Sequence, residues 1–316
     1  MQYAPIALFT YNRPDKTKRV IESLMQNAEA KDSDLFIFSD GPKNEKAVEG
    51  VKANREYLQA FKDSHHLREG WGGSITIIER EKNWGLANSL IAGITEVVNK
   101  NGRVIVVEDD LILSPYFLKF MNDGLEKYKD EDKVGAISAY VPSKDATLPN
   151  TFFLRYFHCW GWATWKRSWK LLNTDTRYLL RQMRFRKKAF DVGGSAGAYG
   201  NLLCQKYGIV DSWWVRLYAS FFLAGKLTLY PNISFATNGG LDGSGTHSGN
   251  GNGNEKTMHY SMKPIDLDTI PIQESIFAFN SFKREFDSRL QNIPKYKIIY
   301  GNIKSFIRRV LYIDCR

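Results

Sequence analysis

Short apolar runs recur along the first part of this chain, and between them apolar residues return at helical spacing. Pro5 to Tyr11 (PIALFTY) reads as a first strand, closed by Asn12-Arg13-Pro14. Pro14 suits a first helical turn, and Val20, Ile21, Leu24 and Met25 follow it at helical spacing. Leu35 to Ser39 (LFIFS) is a second strand, ended by the turn signal Asp40-Gly41-Pro42. Gly72 to Glu79 ends in a third, SITIIE. Asn83-Trp84-Gly85 opens a helix running through Ile91, Ile94 and Val97-Val98, and Asn101-Gly102 stops it. Val104 to Asp110 (VIVVEDD) comes next, a β-branched run that ends in three carboxylates. Apolar runs without alternation belong to strands buried on both faces, as in parallel sheets. The order β-α-β-α-β-α-β predicts a doubly wound α/β sheet.

The second part continues that sheet. Phe117, Phe120, Met121, Leu125 and Tyr128 fall at core spacing on a helix, and Val134 to Ser138 is another strand. His158 to Trp165 (HCWGWATW), with Trp169, is dense in tryptophan. Such indoles either fill a core or offer a platform for flat sugar faces, and Trp160, Trp162, Trp213 and Trp214 are the platform candidates. Arg177 to Lys188 reads as a basic, solvated helix and Gly193 to Gly200 (GGSAGAYG) as a mobile loop. Asp211 is placed to cap an apolar helix that ends at Gly225, and Leu227 to Pro231 is a strand. Asn232 to Gly253 is too rich in glycine for a core and reads as a loop that orders over an active site, with His247 as its donor to a ligand. Ile303, Phe306, Ile307, Val310 and Leu311 form one stripe, with Lys304, Arg308 and Arg309 off it. That basic amphipathic helix suits an anionic membrane surface or the protein's own core.

Composition narrows the class. With 316 residues, 43% hydrophobic and 14% aromatic, the chain is globular. Lys+Arg of 44 against Asp+Glu of 34 gives net +10, which favours anionic partners. The basic residues are scattered and no RNA- or DNA-binding motif is present, so nucleic acid is not expected as a partner. Cys159, Cys204 and Cys315 show neither metal spacing nor a disulfide framework, which points to a reducing compartment. The start MQYAPIALFTYNRP lacks the pattern of a signal peptide, and no apolar run is long enough to span a membrane. A cytoplasmic location is the expectation.

The chemistry concentrates at Glu108-Asp109-Asp110. Three adjacent acids repel one another, and they fall at a strand's carboxyl end, where open α/β sheets bind ligands. A hard divalent cation, Mn²⁺ or Mg²⁺, would offset the repulsion; the alternative is a solvated acidic turn. Arg13 sits between a strand end and a helix start, a place for phosphates and bases. Asp40 either shapes its turn or accepts hydrogen bonds from a base edge.

Three segments in this order, VEDDLILSPYFLKF, WGWATW and PNISFATNGGLDGSGTHSG, resemble nucleotide-sugar glycosyltransferases of the GT-A fold. The pattern is most similar to bacterial polysaccharide-synthesis transferases related to the Golgi α-mannoside β-1,2-N-acetylglucosaminyltransferase, over roughly residues 4 to 250. With the basic helical tail read from the stripe above, the expected division is a domain over 1–255, with a nucleotide-sugar half (1–140) and an acceptor half (141–255), and a C-terminal extension over 256–316. The resemblance implies a Rossmann-like, mixed and mostly parallel sheet flanked by helices. It assigns nucleotide-sugar contacts to Arg13, Asp40, Asn83, Glu108, Asp109 and His247, and the metal to Asp110. Relatives often carry an aspartate inside an SW-x-x-R segment, where this chain has Trp214. Asp211, three residues earlier, is therefore the base candidate, with Asp242 as backup.

Glycosyl transfer needs stabilisation of a leaving diphosphate, a base for the acceptor hydroxyl and an oxocarbenium-like centre. One base opposite the leaving group inverts the anomeric carbon. The expectation is metal-dependent, inverting transfer of a hexosyl or N-acetylhexosaminyl group from a UDP-sugar to a glycan or lipid-linked glycan in surface polysaccharide synthesis. Peripheral membrane contact would run through 303–311. The alternatives are a sugar-binding protein that has lost its base and a nucleotidyltransferase, whose glycine-rich loop is replaced here by TYNRPDK.

Overall fold

The computed structural model describes residues 2–66, 72–239 and 260–291. In chain order the elements begin β1 (Ile6–Thr10), α1 (Pro14–Met25), β2 (Leu35–Ser39), α2 (Glu45–His66), β3 (Ile75–Glu79), α3 (Leu86–Asn101) and β4 (Arg103–Glu108). Then come β5 (Leu111–Leu113), α4 (Phe117–Lys127), β6 (Val134–Ser138), β7 (Thr151–Leu154) and β8 (Trp162–Trp165). Four helices follow, α5 (Lys166–Trp169), α6 (Thr176–Gln182), α7 (Lys187–Phe190) and α8 (Ala198–Lys206). The chain continues through α9 (Trp213–Leu223), β9 (Leu227–Pro231), β10 (Ala236–Asn238) and α10 (Ile276–Gln291).

Eight strands form one sheet in the order β3-β2-β1-β4-β8-β6-β9-β7. The pairs β1–β2, β2–β3, β1–β4 and β6–β9 are parallel, whereas β8 and β7 run against their neighbours. This mixed, mostly parallel sheet with helices on both faces is the Rossmann-like GT-A arrangement. The apolar runs have the expected cause. Ala7, Phe9, Val104 and Val106 face the layer of α3 and α9, while Ile6, Leu8, Ile105 and Val107 face the layer of α1 and α4. Every position of such a strand is buried, so none needs to be polar. Gly102 closes α3 with φ +78°, and its N–H bonds the carbonyl of Val98.

The second part departs from expectation at several points. The tryptophan segment is a central strand: β8 lies antiparallel between β4 and β6. Trp162 is fully buried, stacked on Trp213 at 5.5 Å and packed near Trp169 and Phe157. Trp162 and Trp213 are thus core residues and cannot serve as a sugar platform; Trp160 and Trp214 remain half-buried. The basic stretch breaks into α6 and α7, because Leu179, Met183 and Phe190 must all reach the core. Gly193 to Gly200 is no mobile loop: it folds into a 3₁₀ turn (Val192–Gly194) and the start of α8, with the Asp191 carboxylate accepting from the N–H of Ala198 at 2.6 Å. Ser212, rather than Asp211, caps α9, its hydroxyl accepting from the N–H of Val215.

Helix α10 gave no clear signal in the sequence. Its Phe282 sits against Phe152 and Tyr230, and Arg155 pairs with Glu274 at 2.9 Å just before it. Residues 260–291 therefore belong to the same core as the sheet. No described helix is long and apolar enough to cross a membrane. The amphipathic segment 303–311, Cys315, Asp242 and His247 lie outside the described residues.

Candidate functional site

The parallel strands β1, β2, β3 and β4 end along one edge of the sheet, and the polar residues that follow them meet there. Arg13 stands immediately before α1, whose first position is Pro14. Its guanidinium donates to the Asp109 carboxylate and lies 3.8 Å from that of Asp110. The β1 and β4 exits are thereby tied together. The N-terminal end of α1, which follows Arg13 directly, adds the partial positive charge of a helix start beside the acids.

The three acids differ in surroundings. Burial, reinforced by the charges of Asp110 and Asp109, pushes the Glu108 carboxyl up to about 8, against the pull of Arg13. Burial pushes Asp109 up to about 6, although Arg13 and the backbone of Tyr11 act in the opposite sense. One oxygen of Asp109, Oδ2, is buried without a hydrogen-bond partner among the described residues. Asp110 is the more accessible acid, its side chain 22% exposed.

These shifts fix the sign of a pH effect. Between the usual carboxylate range and about 8, folded Glu108 keeps a proton that the unfolded chain has released. The folded state then binds more protons, so stability falls as pH rises through this window, by up to about 1.4 kcal/mol per pH unit for such a group. Chemical denaturation in chelator at pH about 6 and about 8 is expected to give the lower stability at the higher pH, and Glu108→Gln should flatten the difference. Stability that rises over this interval in wild type would refute the assignment.

Asp40, after β2, is buried, and its carboxylate accepts from the N–H groups of Gly41, Trp84 and Gly85 at 3.0, 2.9 and 3.1 Å. It shapes the margin between β2 and β3, the first of the two roles weighed for it. The Asn83 amide donates to the carbonyl of Gly41 at 2.8 Å. A Cβ on Gly41 would meet the carbonyl carbon of Lys82 at 2.6 Å, so only glycine allows this approach. Trp84 is 43% exposed, with the Arg80 guanidinium 3.9 Å from its ring centroid. It is a flat, exposed face at the margin of β2 and β3 that the sequence did not single out.

On the other side of the acids, Tyr140, His158 and Trp160 form an aromatic cluster with centroids 4.5 to 4.9 Å apart. Burial, with the charge of Arg289, drives His158 down to about 3, so the imidazole is neutral at ordinary pH. Its Nδ1 accepts from the N–H of Trp160 at 3.3 Å, which leaves the proton on Nε2. The antiparallel pairing of Val106 with Trp162 brings this cluster to the exit of β4, beside the acids. Burial raises the neighbouring Cys159 thiol, and the charges of Glu108 and Asp110 raise it further. Cys159 and Cys204 are free thiols.

The base candidate is less centrally held. The carboxylate of Asp211 pairs with Arg216 at 2.8 Å, and its side chain is 56% exposed. Trp214 donates through Nε1 to the carbonyl of Phe157 at 2.9 Å and stacks on Tyr218. The glycine-rich segment begins at the acids. Strand β10 pairs antiparallel with β5, and the N–H of Gly239 donates to the backbone carbonyl of Asp110 at 2.7 Å. This pairing leaves no signal in the sequence, because three-residue strands carry no readable period.

The donor set suits a hard divalent cation. Asp109 and Asp110 are oxygen donors, the buried Oδ2 of Asp109 has no hydrogen-bond partner among the described residues, and a cation would favour the ionised forms of Glu108 and Asp109 that burial disfavours. Among the described residues no three His, Cys, Asp or Glu side chains are grouped to hold an ion unaided. Mg²⁺ and Mn²⁺ are commonly held by one or two carboxylates together with substrate phosphate.

The sequence profile of the family described as "Glycosyl transferase family 2" matches residues 6–201. No curated protein matches the chain. Among solved structures it is similar to an active-site mutant of LgtC, with 12% identity, 72% of each chain covered and a TM-score of 0.37. It is also similar to a mycobacterial protein, with 12% identity, 54% of each chain covered and a TM-score of 0.31. A third is the glycosyltransferase GlyE of Streptococcus pneumoniae, with 10% identity, 60% of this chain and 40% of that chain covered, and a TM-score of 0.32. At these TM-scores the likeness is no guide to substrate.

Proposed function

Since the chain belongs to glycosyl transferase family 2 and is a glycosyltransferase, we propose that it moves a sugar from a UDP-sugar to a hydroxyl of a glycan or lipid-linked glycan, with inversion and with Mn²⁺ or Mg²⁺. The observation that carries this reading is the meeting of Arg13, Asp109 and Asp110 at the carboxyl ends of β1 and β4, with a buried carboxylate oxygen that has no partner among the described residues. An acidic turn made only for solubility would leave its oxygens in water.

In this reading Asp110, with Asp109, holds the cation, which when bound neutralises charge on the leaving diphosphate. Arg13 fixes Asp109 in place and adds positive charge beside the N-terminus of α1. The margin built by Asp40 and Asn83 seats the base, and the exposed face of Trp84 is suited to stack on it. Asp211 takes the acceptor proton on the carboxylate oxygen not bound by Arg216, and Asp242 is the alternative base. His247 serves the diphosphate. Tyr140, His158 and Trp160 flank the sugar, with the Nε2–H of His158 as a hydrogen-bond donor. Residues 1–140 then form the nucleotide-sugar half and 141–255 the acceptor half, with 256–316 as an extension. We place the acceptor in surface polysaccharide synthesis at the cytoplasmic membrane face; the free thiols and net charge of +10 support that location.

The test is release of nucleotide from a panel of nucleotide sugars, with Mn²⁺ or with chelator. One UDP-sugar is expected to release UDP slowly without acceptor, and chelator should stop it. Calorimetry that detects no nucleotide binding, with or without the cation, would refute the proposal.

A further inference from the structure

Between β8 and α9 the chain inserts α5 to α8, and the outer side of this insertion has a composition that the fold does not require. Residues 177–188 read RYLLRQMRFRKK, with six cations and no acid in twelve positions. Leu179, Met183 and Phe190 are buried and pin the segment from within. Arg177, Arg181, Arg184, Arg186, Lys187 and Lys188 are all exposed. Among the described residues none of the six makes an ion pair. Their contacts are instead with rings: Arg181 lies over Tyr178 and Arg184 over Phe185. Phe185, between α6 and α7, is 89% exposed, and Tyr178 is 39% exposed.

Six cations on one short surface repel each other, and a phenyl ring held in water gains nothing from folding. Both become favourable against a surface that is negatively charged and apolar just beneath. We propose that the face formed by α6 and α7 docks on an anionic lipid bilayer, with Phe185 entering the boundary between headgroups and acyl chains and Arg184, Arg186, Lys187 and Lys188 lying over the headgroups. A soluble polyanion would satisfy the cations and leave the ring in water, so the ring selects the bilayer. This inference is independent of the donor sugar and of the segment 303–311, since it rests on different residues.

The test is co-sedimentation of the full chain with vesicles of phosphatidylglycerol and phosphatidylcholine, against vesicles of phosphatidylcholine alone. Wild type is expected to prefer the anionic vesicles. The combined variant Arg184→Glu, Arg186→Glu, Lys188→Glu should lower the partition constant by about 100-fold. Phe185→Ala should lower it by about tenfold. Both should melt as wild type does, because these side chains are exposed. Unchanged binding by the charge-reversed variant would overturn the proposal. So would a Phe185→Ala variant that binds normally while polyphosphate displaces the protein, which would assign the face to a soluble polyanion.

Discussion

Asp110→Asn is expected to lower sugar transfer by about a thousandfold while leaving the fold intact. The substitution keeps the shape of the side chain and removes its charge. Among the described residues that carboxylate makes only a 3.8 Å approach to Arg13, so little stability depends on it, within about 1 kcal/mol. The backbone carbonyl of Asp110, which accepts from Gly239, is untouched. In the proposed reaction the same carboxylate holds the charge that stabilises the departing diphosphate, where loss of one preorganised group costs about a hundred- to a thousandfold. Steady-state release of UDP at saturating cation, with a thermal melt on the same preparation, checks both halves. Turnover within tenfold of wild type would remove Asp110 from the metal role. Asp109→Asn is a poorer probe, because it also breaks the bond to Arg13 and alters a buried site.

Trp162→Ala is expected to destabilise the protein by about 4 kcal/mol, the range for emptying an aromatic site in a packed core. Melting should fall by about 10 °C for a chain of this size. The indole is fully buried among Phe157, Trp169 and Trp213, and no small shift of the surrounding rings refills that volume. Its Nε1–H has no partner among the described residues, so Trp162→Phe, which removes that buried donor, should cost much less. If Trp162 were instead a sugar platform, Trp162→Ala would leave the melt unchanged and raise the apparent KM. Calorimetric melts of both variants, with activity measured well below the transition, separate the two roles.

What was legible in the sequence follows from physical period. The first sheet half was readable because each strand is buried on both faces and each helix has one apolar stripe. Val104 to Val107 cannot be anything solvated, and Gly102 before it marks a helix end. The clustering of Arg13 with the acids was readable too, since a parallel sheet brings every βα junction to one edge. The tryptophan strand was ambiguous because Trp162, like Trp160, suits a platform as well as a core. Only the pairing of β8 with both β4 and β6 decides. Tyr140 and His158 meet across eighteen positions of sequence and carry no motif. Asp40 was recognisable as a turn residue, but that Trp84 and Gly85 donate to it depends on where β3 ends relative to β2. Glycine content alone does not separate a mobile loop from a packed turn: Gly193 lies against the Lys283 side chain of α10, a contact with no signal in the sequence.

The pairing of β5 with β10 also bears on the order in which the enzyme is built. Leu111 and Asn238 are neighbours in space but far apart along the chain, so this contact closes a long loop. Such closures come late, after local helices and adjacent parallel strands have formed. A nascent chain emerging from the ribosome can therefore join Arg13 to Asp109 long before Gly239 exists to bond Asp110. The junction of β1 with β4 can mature first, and the β5–β10 pairing beside it only after Gly239 has been made. Pulse-labelled hydrogen exchange during refolding should accordingly protect the amides of β1 and β4 before that of Gly239.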